Sequence, residues 1–564
     1  MEYLPVQDES RIECVMCIVN PRGKPRRFFL LYQSECPGNG RKEHRDIAKL
    51  ESGSGCSEVN AESGANMFRT FTDVVAHTLC FVVFFVTFIP SLLFSMLWKM
   101  IVRVLLYLEY GSNAELMAAC DAVSAHKPAP SKEGLINALF HIRGSIPLKE
   151  IRRRVSENLV CAQTVDGRSL YPRLMRCVQS KYGLYVWNQA ETFDLHWHVD
   201  YFRDEAGTKV TYKNREDQLD VIQKIINAPM FDSKTSPWRV LLVNKEDGSD
   251  CILVLRCHHS MLDGGAAFMV VLPAVADQIK GSDGFGNIKP SSKVVRMRNK
   301  VLGMLCVPHI ISRQLCLRDN NPLRSAANVE EPPSGKWCYW SDPIPLAKVT
   351  EVRKKTNVRF SAVLITCIGR AVTRYLKLPE VAKTFKGNAM ISAYQAVSMW
   401  TPEDVPSLEN KITGIATGIT PNPSKNALEQ LLEANENQEH WLRQEFLWGS
   451  YTFSNLTTNT VPHVIPEKFI IPWLLGGVTM FVSSAMGPSN FFTVNGNEVY
   501  SLTGIMPLPP TTCLGFIMLS YGDKLAVSVT GRKYAFPELE DLKKLDTMLH
   551  EEFDNVHNAI VAQD

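Results

Sequence analysis

The stretch Cys257-His258-His259-Ser260-Met261-Leu262-Asp263-Gly264-Gly265 constrains this chain more than any other. The residues before it, Cys251-Ile252-Leu253-Val254-Leu255-Arg256, predict a strand, and the residues after it read as a helix start. Two adjacent histidines therefore stand at a strand end, with an acid four residues after the second and a glycine beside that acid. A glycine turn after a strand lets the backbone bend sharply and present side chains to a site. Successive strand residues face opposite ways, so His258 and His259 point to opposite sides and only one can be a base. The chemistry this suits is general-base catalysis on a hydroxyl or an amine, since neutral imidazole takes and returns a proton near neutral pH. Asp263 is placed to fix the imidazole tautomer or to brace the loop.

A histidine pair at a strand end is by itself an ordinary structural feature, or two ligands of a zinc site. No third ligand lies at a recognisable spacing from it. The pattern His-His-x-x-x-Asp-Gly fixes four positions and arises by chance in roughly one in a thousand chains of this size. That favours a functional reading.

His258-His259-Ser260-Met261-Leu262-Asp263-Gly264 resembles the active-site motif of the wax ester synthase/diacylglycerol acyltransferase family, relatives of chloramphenicol acetyltransferase and of peptide-synthetase condensation domains. Weaker boxes follow the family's order. They are Asp121-Ala122-Val123, Trp187 ahead of Phe193-Asp194-Leu195-His196-Trp197-His198-Val199, and Ser236-Pro237-Trp238-Arg239-Val240. Trp187, Phe193 and Trp238 are also what plain core packing would use. In the second half, Ser361-Ala362-Val363 stands where the family carries Asn-Asp-Val, and Trp400 stands where relatives often carry arginine. Phe481-Val482-Ser483-Ser484-Ala485-Met486-Gly487-Pro488 resembles the family's SN-x-x-GP strand end, with Ser484 in place of asparagine. Ser361 is expected to cap the helix that follows it. A serine hydroxyl at 484 can donate to an oxyanion, while a plain turn before the next strand is the favoured reading.

At 564 residues the chain has room for two lobes with sizeable cores. The net charge of +3 gives no support for nucleic-acid binding. Fifteen cysteines without a framework spacing read as reduced thiols facing the cytosol. Cys14 and Cys17, with Cys36, His44 and Cys56, are too irregular for a zinc site.

Residues 1–66 read as a polar, largely disordered leader, and no cleavable signal peptide is expected. A membrane segment is expected over 67–113, because Val74–Trp98 contains no charged residue and is long enough to span a bilayer. Pro90 leaves open a kinked span or a hairpin that re-enters one leaflet. An N-terminal acyltransferase lobe is expected over 114–318, a crossover linker over 319–336 and a C-terminal lobe over 337–564. Hairpins are predicted at 241–255 and 515–530, and an amphipathic helix along Leu542–Ile560. A second amphipathic stretch, 291–317, carries basic residues first and apolar ones after, a pattern suited to a membrane interface. Asn455-Leu456-Thr457 is a glycosylation sequon.

The resemblance implies an α/β fold of two chloramphenicol acetyltransferase-like lobes with mixed sheets, an active-site channel between them and, here, a membrane helix in front. It implies catalysis at His259, His258, Asp263 and Gly264, with Ser361, Val363, Ser483 and Ser484 as candidate substrate contacts. His259 is the expected base, Asp263 the loop brace, Gly264 the residue that lets the turn close, and His258 support from the other face. No cofactor or metal is implied, and acyl-CoA is the co-substrate. The expected partners are acyl-CoA, a lipid acceptor with a hydroxyl and a membrane. The expected place is the endoplasmic reticulum or a lipid droplet, with the catalytic domain toward the cytosol. The expected activity is transfer of a long-chain acyl group to a long-chain alcohol or a diacylglycerol. The alternative, suggested by Ala362, Trp400 and Ser484, is a lipid-binding membrane protein of the same fold with impaired catalysis.

Overall fold

The computed structural model describes residues 12–19, 25–32, 82, 85–86, 89–125, 134–229, 234–278, 292–326, 335–383, 389–401, 403–509 and 512–561. The chain divides into two compact units, Met1–Leu93 and Phe94–Asp564. Within the first, the strands Ile12–Val19 and Pro25–Tyr32 pair antiparallel with Met16 opposite Phe28. Sequence reading did not single out this hairpin; Cys36, His44 and Cys56 and 12 of the 25 residues of Val74–Trp98 lie outside the described residues. A helix runs from Ile89 to Tyr110, long and apolar enough to cross a membrane by length and composition. Pro90 sits in its first turn, where a missing N–H costs nothing.

The second unit holds two seven-stranded sheets among the described residues. The first is built on the active-site strand, Asp250–His258, which lies between Leu135–Arg143 and Trp238–Lys245, antiparallel to both. The predicted hairpin at 241–255 is thus present, with Leu253 opposite Leu242 on one side and Phe140 on the other. The strand is buried on both faces, which is why it reads as a continuous apolar run instead of an alternating one. Trp187 and Trp238 are core residues, 1% and 3% exposed.

The second sheet orders Lys336–Tyr339, Lys524–Arg532, Leu514–Tyr521, Met480–Met486, Ser392–Ser398 and Ile412–Gly418. Its predicted hairpin pairs Phe516 with Val529. The helices Phe360–Leu376 and Leu539–Val561 cover one face, and Val363, Leu364, Leu545, Leu549 and Phe553 pack into one core there.

Two expectations need correction here. Sequence order puts all of 337–564 in the second lobe, yet Asn497–Ile505 pairs with Leu135–Arg143 and completes the first sheet. An open sheet edge offers unpaired backbone groups to whichever strand reaches it, wherever that strand lies in the chain. Ser361 is not the helix cap. Arg359 holds that position, and the Ser361 hydroxyl donates to Gln438 Oε1 at 2.5 Å. The Asn455 sequon lies inside the Gln444–Thr457 helix, where the Asn455 amide donates to the Tyr451 carbonyl. Cys120, Cys161, Cys177, Cys251, Cys257, Cys306, Cys338, Cys367 and Cys513 are free thiols.

The 291–317 stretch forms the helix Lys293–Cys316, which crosses the Gln444–Thr457 helix at two glycines. A Cβ on Gly449 would lie 2.6 Å from the Gly303 carbonyl oxygen, and one on Gly303 would lie 2.6 Å from the Gly449 nitrogen. Neither backbone can yield without parting the helices. Gly449→Val is therefore expected to destabilise the chain by about 1–3 kcal/mol, the usual cost of overpacking, read as a lower urea midpoint with an unchanged slope.

Candidate active site

The active-site strand ends at His258, and the chain re-enters helical structure at Gly264. Asp263 caps that helix, its Oδ1 accepting from the Ala266 amide at 2.9 Å. The same carboxylate, 2% exposed, accepts from Trp400 Nε1 at 2.9 and 3.1 Å and from the Lys411 backbone amide at 2.7 Å. Asp263 thus ties the loop to Trp400 and Lys411, residues from the second half of the chain. The indole N–H at 400 supplies a donor to the acid, and the Lys411 ammonium lies 4.3 Å over its ring. A Cβ on Gly265 would come within 2.4 Å of Trp400 Cδ1, whereas one on Gly264 would meet nothing within 4 Å. The residue that must be glycine for packing is therefore Gly265; the bare backbone of Gly264 lies in the cavity wall.

The two histidines separate as alternation requires. His258 is 2% exposed and folds back on its own turn. Its Nδ1 accepts from the Ser260 amide at 3.3 Å and lies 2.8 Å from the Ser260 hydroxyl. Its ring rests on Gly134, where an added Cβ would sit 2.8 Å from Nε2. It shapes the strand end and does not line the cavity. His259 does line the cavity, a space of about 560 Å³ between the two sheets. The wall is mostly apolar, and small residues such as Ala138, Ala396, Gly504 and Ala485 keep it open.

His259 Nδ1 lies 3.0 Å from Asn410 Oδ1. The Asn410 amide nitrogen is committed elsewhere, donating to the His259 carbonyl at 2.7 Å and to Asp121 Oδ1 at 2.9 Å. Its oxygen must therefore accept, which puts the imidazole proton on Nδ1 and leaves Nε2 basic. Behind it, Asp121 also accepts from the Asn410 backbone amide at 2.9 Å and pairs with Arg173 at 2.8 Å. Burial pushes the Asp121 carboxyl up to about 6, against the pull of Arg173 and Asn410. The line Arg173–Asp121–Asn410–His259 was invisible in sequence beyond the landmark Asp121, because 151 residues separate His259 from Asn410. Cys120 also lines the cavity, but burial and the neighbouring Asp121 push its thiol up to about 12, so it is no nucleophile.

The other candidates sort by strand and helix geometry. Ser483 lines the cavity, and Ser484, next on the strand, is exposed on the opposite side. The oxyanion reading at 484 therefore moves to Ser483. Ser361 is tied to Gln438, and Val363 is 1% exposed in the helix-covered core; neither reaches the cavity. Thr413, which sequence reading missed, lines the cavity 7% exposed, its buried hydroxyl making no hydrogen bond within the chain. Among the described residues no cluster of His, Cys, Asp and Glu could hold a metal.

Two sheet-bearing lobes around a histidine cavity define the condensation-domain class of fold, akin to chloramphenicol acetyltransferase. Residues 409–556 match the WS/DGAT C-terminal domain, a span that holds Asn410, Thr413 and Ser483 but not the His258–Asp263 loop. The resemblance to the wax ester synthase/diacylglycerol acyltransferase family is thus supported over residues 409–556. The wax ester synthase/diacylglycerol acyltransferase of Marinobacter aquaeolei VT8 superposes with a TM-score of 0.50 at 14% identity, over 78% of this chain and all of that one. The first condensation domain of the calcium-dependent antibiotic synthetase gives 0.52 at 10% identity, over 79% and 96%. The trichothecene 15-O-acetyltransferase TRI3 of Fusarium sporotrichioides gives 0.51 at 12%, over 79% and 95%. At these identities the likeness is one of fold. No curated protein sequence matches the chain.

Two outcomes follow from this geometry. Trp400→Phe keeps an aromatic ring but removes the indole N–H that donates to a buried carboxylate, and is expected to cost about 1.5–3 kcal/mol in denaturant unfolding for the lost hydrogen bond alone. Asp121 gives a pH signature. Its folded value is raised above the ordinary 3.8, so between about pH 4 and pH 6 the folded chain keeps a proton that the unfolded chain has released. Its contribution to stability falls as pH rises through that window and is level above it. In Asp121→Asn that part of the slope is expected to vanish, measured as the difference in unfolding free energy between variant and wild type at about pH 4 and about pH 7.

Proposed function

We propose that the chain is a membrane-bound O-acyltransferase that moves a long-chain acyl group from acyl-CoA to the hydroxyl of a long-chain alcohol or a diacylglycerol. The observation that carries this is His259, its Nδ1 held by Asn410 and its basic Nε2 left for a substrate proton, in the wall of a largely apolar cavity of about 560 Å³. A cavity of that size and lining suits an aliphatic chain with one polar end. The match over 409–556 and the fold shared with acyl-transferring enzymes support the reaction class.

In this reading the acceptor hydroxyl gives its proton to His259 Nε2 as its oxygen bonds to the thioester carbonyl carbon. The tetrahedral oxyanion collapses, the carbon–sulfur bond breaks, and the imidazolium returns the proton to the leaving CoA thiolate. Ester and free CoA are the products. Asn410 and Asp121 stabilise the imidazolium that forms in between, because a carboxylate stands one amide away from the new charge. The Thr413 and Ser483 hydroxyls are the neutral donors in the wall that suit the oxyanion. The departures at Ala362 and Trp400 do not strip the site. Ala362 is fully buried in a helix away from the cavity, and Trp400 supplies the donor that Asp263 uses.

The test is acyl transfer in membranes from cells expressing the chain, with labelled long-chain acyl-CoA and either hexadecanol or diacylglycerol. Wild type is expected to form ester, and His259→Ala to lose about a hundredfold or more, the scale of a missing general base. A folded wild type that binds acyl-CoA and forms no ester with any acceptor would instead establish the lipid-binding alternative.

A further inference from the structure

The helix from Ile89 to Tyr110 is apolar on two sides once it reaches the second unit. Trp98, Val102, Leu106 and Tyr110, four residues apart, dock on Leu184 and Val186, and Trp98 Nε1 donates to the Tyr182 carbonyl at 3.3 Å. The outward residues Leu97, Met100, Val104, Tyr107 and Leu108 are also large and apolar, each between 55% and 75% exposed. A helix with one side packed on protein and an apolar side facing out needs a second apolar cover.

The strands Arg176–Lys181 and Leu184–Gln189 pair as a hairpin, and its turn at Tyr182–Gly183 holds a second such segment. The His463 amide donates to the Gly183 carbonyl at 2.7 Å, and Pro462 packs on Gly183. The chain then presents Val464, Ile465 and Phe469 outward, with Phe469 66% exposed. The inner side of this segment, Glu467, Ile471 and Leu475, lines the cavity that holds His259. One turn of helix thus separates an apolar surface from an apolar cavity. At that wall the Glu467 carboxylate accepts from the Tyr185 hydroxyl, a polar stop on the way in.

We propose that Phe94–Tyr110 and Val464–Phe469 form one docking face for a bilayer of anionic phospholipid, and that the lipid acceptor enters the cavity sideways through the Glu467–Leu475 wall. Charge argues for a helix lying in the head-group plane. Arg103 and Lys468 are exposed amid the apolar residues, and Lys99 is one turn before Arg103. A helix crossing at this point would place Lys99 and Arg103 near the hydrocarbon centre, at about 2.5–3.5 kcal/mol each. Along the interface their stems cover apolar surface and their heads meet phosphate. In the sequence the 15 residues before this helix, 74–88, contain no Asp, Glu, Lys or Arg, a composition suited to a membrane. The surface stands on these observations alone; only the identity of the entering lipid rests on the acyltransferase reading.

The test uses the full chain, reconstituted in vesicles of phosphatidylcholine and phosphatidylserine, with a photoreactive benzophenone residue placed singly at Val104, Phe469, Val165 or Lys544. Light is expected to give phospholipid adducts at Val104 and Phe469 and none at Val165 or Lys544. Adducts at Phe469 no higher than at the two reference positions overturn the docking face, whatever Val104 does. In the activity arm, Phe469→Asp is expected to lower transfer to diacylglycerol in the bilayer roughly tenfold, the scale of losing one buried phenyl ring. Transfer to a short water-soluble alcohol is expected to hold. Equal loss with both acceptors overturns sideways entry. A wild type that makes no ester defeats the acyltransferase reading while the adducts still decide the surface.

Discussion

The Asp263 carboxylate is the joint on which the site depends. It sits at the end of a strand of the first sheet and takes its hydrogen bonds from Ala266 in its own helix and from Trp400 and Lys411 in the second half of the chain. A buried carboxylate with no donors would cost several kcal/mol, so the two halves cannot part without leaving that charge unsatisfied. The same closure carries Asn410, the residue before Lys411, onto His259. Asp263 ties the lobes together, and Asp121, holding Asn410, sets the tautomer of the base. This explains how an aspartate beside the histidine motif is essential to the architecture without touching the imidazole.

The cavity is a consequence of what the facing strands lack. Ala138, Ala396, Ala485 and Gly504 stand where larger side chains would close the sheets on each other. Close packing elsewhere in both cores means that such a gap is not a defect of folding. Several polar positions in the lining are accounted for by a neighbour or by the chemistry: His259 by Asn410, Thr503 by His141, Glu467 by Tyr185, and Thr413 and Ser483 as neutral donors. A charged group free in this space would be expensive; burial pushes the Cys120 thiol and the Tyr394 phenol, both in the wall, up to about 12.

Much of the fold was legible because it is written in local patterns. The hairpins at 241–255 and 515–530, the helix from Leu539 and the strand-to-helix turn at His258–Gly264 all follow from apolar runs broken by turn residues. Misreadings came where the deciding contact is distant. Ser361 looked like a cap because of its residue type, but Gln438 claims its hydroxyl. Ser484 looked like the oxyanion donor, but the strand's pleat turns Ser483 inward instead. Asn497–Ile505 looked like part of the second lobe, but its backbone completes the edge of the first sheet.

By itself the sequence determined that a histidine pair would stand at a strand end, that its two rings would face opposite ways, and that an acid would follow on the next turn. Those facts depend only on the period of a strand and the bend of a glycine turn, which are properties of adjacent residues. Only the tertiary structure decided which nitrogen of His259 is basic, that Trp400 donates to Asp263, that Gly265 and not Gly264 has no room for a side chain, and that Asp121 backs the base through Asn410. These depend on hydrogen bonds between residues more than a hundred positions apart. No local pattern encodes such pairs, because they exist only once two sheets have closed around a common charge.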